Sequence, residues 1–434
     1  MTSNEVMYGL YWIAVLAMLA VSWSRSRNIL HPHFIFTVML CVHLSDFLIR
    51  GYDDENLAYI PIESVHTYQL LILITIVATV FLSSLLRAPR IEAAVVSAWE
   101  GIVPSKGMIR AIGAVAWLIV CAEILKRLIS VGWSPSELLS QMLNPRGERV
   151  WDQEQYGGNF IYAIVSLLLP LSSSSFAYIV VNGRGFARSM SVLGFLLLLA
   201  IQITDGARTM VVMTLAALAL FTIQTQRTAL WKALILGADG VAGAAATSFM
   251  YLFRSTGYKM DAVQGEFAFT YHQDDSYYRA IYAHYVSDYS SYSWDPLYFI
   301  YAKLMNPIPR FFWPDKPLLD QTFYGEYKLY YVTMLYIGDI VAMAGPLLTL
   351  FIAIPFGLAV YYMLYRSAAL LLYPLGVIAY LLGASYVYMI LRSTENLMQF
   401  IYLPAFAVLL VQALRRRPGA DATRQARPRA RGAS

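Results

Sequence analysis

The sequence predicts an all-α polytopic membrane protein, and three observations predict it. Hydrophobic residues fill 58% of the 434 positions and charged residues only 14%, with a mean hydropathy of +0.54, a balance foreign to soluble domains. Apolar runs near the roughly 20 residues that a helix needs to cross a bilayer core recur along the chain. Between them, Lys and Arg collect in alternate loops, as the positive-inside tendency requires.

The runs fall at about 7–23, 30–49, 66–86, 108–130, 159–182, 188–204, 209–225, 229–253, 343–365, 368–390 and 396–414, which gives about eleven transmembrane helices. Arg25 and Arg27, Arg87 and Arg90, Arg184 and Arg188, Arg227 and Lys232, Arg366, and Arg415 to Arg417 all lie in alternate loops. Those loops are expected on the cytoplasmic side, with the N-terminus out and the C-terminus in. The expected organisation is helices one to eight in residues 1–253, a large and partly helical outer loop at 254–342, helices nine to eleven in 343–414, and a basic cytoplasmic tail at 415–434. That tail has seven arginines against one acid, Asp421, and has little to bury, so it is expected to be disordered. Since the tail accounts for much of the formal net charge of +5, nucleic-acid binding is a poor fit. The first apolar run has neither a basic segment before it nor a clear small-residue cleavage site after it, so no cleavable signal peptide is expected.

Cys41 and Cys121 sit inside apolar runs, which suits packing better than a disulfide or a metal cluster. No Walker-type loop and no His-Glu-x-x-His helix occurs, and His31 and His33 lack further ligands in sequence. Neither a metal nor a separate cofactor is expected. Glu123 and Asp239 lie within apolar runs with no evident partner in sequence.

The outer loop holds the densest polar chemistry. Asn306 to Pro317 sets four prolines around Arg310, Trp313, Asp315 and Lys316, a rigid, non-helical segment. Upstream, Tyr278, Tyr282, Tyr285, Tyr289 and Tyr292 recur at steps of four and three, one face of a helix. Such a face either offers rings to a sugar or sits at headgroup level. Arg208 lies in the Asp205-Gly206-Ala207-Arg208-Thr209 turn between two short runs, and Arg254-Ser255-Thr256 and Arg392-Ser393-Thr394 end two other runs on the same side. Arg208, Arg310, Arg254 and Arg392 are the candidate diphosphate contacts, because guanidinium forms paired hydrogen bonds with phosphate and keeps its charge. Asp315, Glu395 and Asp339 are the candidate catalytic carboxylates, near enough to these arginines in sequence to serve as a base for a hydroxyl. Tyr278, Tyr282, Tyr285 and Trp313 are the candidate glycan contacts.

The Pro-Arg-x-x-Trp-Pro-x-Lys-Pro core of Asn306 to Pro317, the Gly206-x-Arg208-Thr209 turn and the Gly338 to Gly345 approach to the next run resemble segments of bacterial oligosaccharide repeat-unit polymerases, the Wzy-type O-antigen polymerases. The resemblance covers roughly residues 190–414. In place of a glycine-rich approach to the run near Ala344 the chain has Tyr330 to Tyr336. The resemblance implies a membrane glycosyltransferase of the C superfamily in the bacterial inner membrane, with its active face periplasmic. The reaction it implies passes a growing glycan from undecaprenyl diphosphate to a new lipid-linked repeat. The implied partners are undecaprenyl-diphosphate-linked oligosaccharides, the bilayer, a chain-length regulator and a flippase. An O-antigen ligase, with lipid A core as acceptor, and a lipid-linked-oligosaccharide flippase are the alternatives.

Overall fold

A computed structural model describes residues 3–52, 57, 58, 60–86, 106–144, 148–150, 160–205, 207–226, 228–254, 276–289, 297, 298, 301, 305, 313, 334–345, 348–372 and 376–394. For Arg208 and Arg254 it describes the backbone alone. Every regular element in the order below is helical: α1 (Ser3–Ser26), α2 (Pro32–Arg50), α3 (Ile62–Ser83), α4 (Lys106–Ser130), α5 (Pro135–Leu143), α6 (Phe160–Asn182), α7 (Phe186–Thr204), α8 (Arg208–Thr225), α9 (Ala229–Arg254), α10 (Ser276–Tyr289), α11 (Tyr336–Ala344), α12 (Thr349–Ser367) with a 3₁₀ turn (Ala368–Leu372) behind it, and α13 (Gly376–Arg392).

Among the described residues seven helices, α1, α2, α3, α4, α7, α9 and α12, are long and apolar enough to cross a membrane, and α6, α8 and α13 carry shorter apolar stretches. Large apolar side chains such as Ile13 (66% exposed) and Leu16 (59%) on α1, or Leu118 (69%) on α4, face outward. Continuous apolar surface of this kind is at home in lipid rather than water. The chain is thus a multi-pass helical membrane protein. Ten of the expected eleven runs coincide with these helices, and the eleventh, 396–414, lies outside the described residues.

The helices form two groups. In the first, α1, α2, α3, α12 and α13 surround α10 and α11; in the second, α4, α6, α7, α8 and α9 pack on one another, and α13 joins the groups through α6. Small and hydroxylated residues let helices approach where no hydrophobic drive separates helix from lipid. A Cβ on Gly194 of α7 would lie 2.6 Å from the Phe176 ring of α6. Ser172 Oγ donates to the Ala116 carbonyl of α4, and Gln202 bridges Ser173 of α6 and Thr214 of α8.

The placement of α10 and α11 departs from a simple outer loop. Leu335 N–H donates to the Ser276 carbonyl, so both helices begin at one point. A Cβ on Gly338 would fall 2.7 Å from Ala280 Cα, so they then run side by side in nearly touching contact. Their starting point is inside the bundle: Gly357, the midpoint of α12, lies against Tyr336 Oη and Thr79 of α3. Every residue of α11 except Met343 is buried. A helix of 9 residues rises only about 13 Å, so α11 covers half of α12 and no more. A non-spanning segment at this depth is tolerated because protein, not lipid, surrounds its backbone.

Candidate functional site

Two polar centres interrupt the apolar bundle. The first lies where α11 meets α13. Asp339, in the first turn of α11, is 1% exposed; its Oδ2 accepts from Thr394 N–H at 2.5 Å and from Ser393 Oγ at 3.3 Å. A carboxylate near a helix N-terminus is favoured by the helix dipole. Here it also fastens the end of α13, and with it Arg392, to a half-length helix more than fifty positions away in sequence. Arg392 is half-buried. One oxygen of this carboxylate already accepts two hydrogen bonds, and the side chain has almost no access. This geometry suits a residue that positions Arg392 better than the base expected from sequence.

The second centre joins α4, α7 and the segment after α5. Arg127 places its two terminal nitrogens on the two oxygens of Asp205, at 2.9 and 2.5 Å. Glu123 accepts from Arg127 Nε and from Lys126 Nζ, both at 2.9 Å. Arg149 reaches Asp205 at 3.3 Å and donates to the Asn144 and Thr204 carbonyls. Among the described residues three cations thus share two carboxylates, and all but Asp205 are buried. Arg208, the first residue of α8, follows Asp205 by one turn of chain. Glu123, expected to lack a partner, has two of them three and four positions along its own helix. That spacing was legible in the sequence, since such pairs share a helix face.

Of the residues expected to contact diphosphate, Arg392 is the one whose side chain is described. Arg310 lies outside the described residues, as do Asp315 and Glu395. The glycan candidates divide. Tyr278 is fully buried and its hydroxyl donates to the Gly51 carbonyl at 2.9 Å, so it presents no free ring face. Its role is to tie α10 to the end of α2, a correction to the expected ring-presenting stripe. Tyr282 and Tyr285 are half-buried. Trp313, also half-buried, meets the Tyr301 ring edge-on at 6.5 Å. Tyr278 is covered because α10 packs against α2, α3 and α11, so periodicity identified a helix but not which of its positions its neighbours enclose; the side chains of Tyr289 and Tyr292 lie outside the described residues. On the neighbouring face Tyr277 is also buried, its hydroxyl 2.6 Å from that of Tyr11, which in turn donates to the Gln69 carbonyl. His31 and His33 serve packing: His31 caps α2, and His33 contacts Ser22 and the Val80 carbonyl.

Sequence reasoning missed Asp46 of α2, 1% exposed, and gave little weight to Arg279 of α10, a helix that packs on α2. The signal for Asp46 was a carboxylate inside an apolar run, which is costly unless it is used. It also underrated His284. This imidazole is fully buried on α10, stacked on Tyr68 at 5.3 Å, and neither ring nitrogen has a hydrogen-bond partner among the described residues. Burial disfavours its charged form and pushes its pKa down to about 3. An unfolded His protonates near 6.5 while the folded one stays neutral, so stability falls as pH drops below about 6.5, by about 1.4 kcal/mol per pH unit. The melting temperature of purified protein is therefore expected to drop between pH 7.5 and 5.5, and less so for His284→Phe, which keeps the stacked ring. Equal losses in both proteins would remove His284 as the cause.

No protein-family model matches the chain, and neither curated proteins nor solved structures give a match.

Proposed function

We propose that the protein is a membrane glycosyltransferase that polymerises lipid-diphosphate-linked oligosaccharide repeats at the periplasmic face of the bacterial inner membrane, in a chain of about eleven spans with its N-terminus out and C-terminus in. The observation that carries this reading is the fastening of Arg392-Ser393-Thr394 to Asp339. It fixes the end of α13, and with it the half-buried Arg392 where an apolar helix stops, a place where charge is costly to keep without use. Diphosphate is already a good leaving group, so what its departure needs most is fixed positive charge and an aligned acceptor hydroxyl. The cluster of cations around Asp205, next to Arg208, supports the same anion-handling chemistry. The resemblance of Asn306 to Pro317 to the repeat-unit polymerases supplies the substrate class. Transfer to lipid A core by a ligase is the same chemistry with another acceptor.

One observation favours a second reading, a lipid-linked-oligosaccharide flippase. Paired short helices that begin inside a bundle are also how transporters build substrate sites. The test is to incubate purified protein in detergent with lipid-linked repeats and no energy source, and to resolve the products by length. A ladder of lengthened lipid-linked glycan is expected. No lengthening, with translocation of labelled lipid in proteoliposomes, would replace the polymerase reading with the flippase.

A further inference from the structure

A cavity of about 830 Å³ lies between α3, the end of α10 and the turn from α11 to α12. One side of it is apolar: Leu70, Leu71 and Ile74 of α3, and Leu348 at the start of α12. Leu70, Ile74 and Leu348 are 39, 57 and 50% exposed on the outer surface of spanning helices, so the cavity opens sideways toward lipid. A hydrocarbon chain reaches it without crossing water.

The other side is polar and has a definite character. Asp288 is exposed and accepts from Tyr68 Oη at 2.5 Å. Ser287 donates to the His284 carbonyl. His284 itself lines the cavity, fully buried and with both ring nitrogens unpartnered among the described residues. Buried polar atoms are ordinarily satisfied, and an orphan of this kind calls for a ligand group. Among the described residues no Lys or Arg lines the cavity, and its one charged group is a carboxylate. A phosphate head would meet that carboxylate unpaired, at an electrostatic cost. A polyhydroxylated neutral head instead finds an acceptor in Asp288 and a hydroxyl in Ser287, with the buried His284 imidazole, which both donates and accepts, beneath them.

We propose that this cavity binds a neutral glycolipid, its hydrocarbon chain along Leu70, Leu71 and Ile74 and its sugar hydroxyls on Asp288, Ser287 and His284. The site is separate from the Arg392 and Asp205 centres and does not depend on the transfer reading.

The test contains no turnover. Full-length protein in nanodiscs is irradiated with a dodecyl maltoside bearing a diazirine in its chain, and the labelled positions are mapped by mass spectrometry. Labels are expected within 67–74 or 284–288, or at Ala344, Gly345 or Leu348. Unlabelled dodecyl maltoside is expected to suppress them at about one tenth of the concentration that dodecyl phosphate needs, a preference of about 1.4 kcal/mol. Ile74→Trp, a change at a lipid-facing position that narrows the mouth, is expected to abolish labelling while the protein stays folded. Asp288→Asn is expected to erase the discrimination against dodecyl phosphate. Labels scattered over the outer surface, equal competition by the phosphate, or labelling unchanged in Ile74→Trp would each overturn the proposal, whatever the outcome of the chain-extension assay.

Discussion

Asp205→Ala is expected to destabilise the protein by about 3–5 kcal/mol, the cost of breaking a buried ion pair from one side. The physical reason is the count of charges. Arg127 is 4% exposed and Arg149 2%, and both direct guanidinium nitrogens at this one carboxylate. Without it Arg127 keeps Glu123, and Arg149 keeps the carbonyls of Asn144 and Thr204. Two buried guanidiniums would then lose the carboxylate they share. Asp205→Asn is expected to recover part of the loss, since an amide oxygen still accepts hydrogen bonds but carries no charge. The measurement is the melting temperature in detergent together with the amount of folded protein in the membrane. An Ala variant as stable as the parent would show that the network adds nothing to the fold.

On the proposed transfer reading, Asp339→Ala is expected to lower glycan transfer about 100-fold, because a misplacement of about 1 Å at a reacting centre has that effect. The argument depends on Asp339 acting through Arg392. Alanine removes the acceptor for Thr394 N–H and Ser393 Oγ and frees the end of α13. Asp339→Asn keeps an acceptor oxygen at the same place, so it is expected to retain most of the rate, with an unchanged pH profile. A general base would behave in the opposite way: Asn would be as inactive as Ala, and the acidic limb of the profile would vanish. Arg392→Lys is expected to lose activity comparably to Asp339→Ala, because lysine keeps the charge and loses the paired geometry. Full activity in Arg392→Lys would take that side chain out of the site.

These centres differ in how much of them the sequence revealed. Hydropathy alone located the helices, since an apolar run long enough to cross a bilayer has few other structures open to it. The Glu123, Lys126 and Arg127 group was equally local, three residues within one helical turn or so. Arg392 and Asp339 were each recognisable as charges beside apolar runs. That they share a hydrogen-bonded centre was not, because the contact joins positions 339, 393 and 394 through the packing of α11 on α13. Tyr278 shows the converse. Its helical spacing was plain, but spacing says nothing about which neighbours enclose a helix, and here three of them do.

The sequence by itself determined a helical membrane chain and the approximate position of its apolar helices. Those follow from composition and periodicity, which are local properties of a chain in contact with lipid. Only the tertiary structure decided that α10 and α11 begin together in the interior of the bundle. It also assigned Asp339 to holding the end of α13, and closed an amphipathic cavity around His284. Each of these depends on helices distant in sequence approaching within a few ångströms, at Gly338 against Ala280 or at Gly357 against Tyr336. No periodicity within a single segment encodes such an approach.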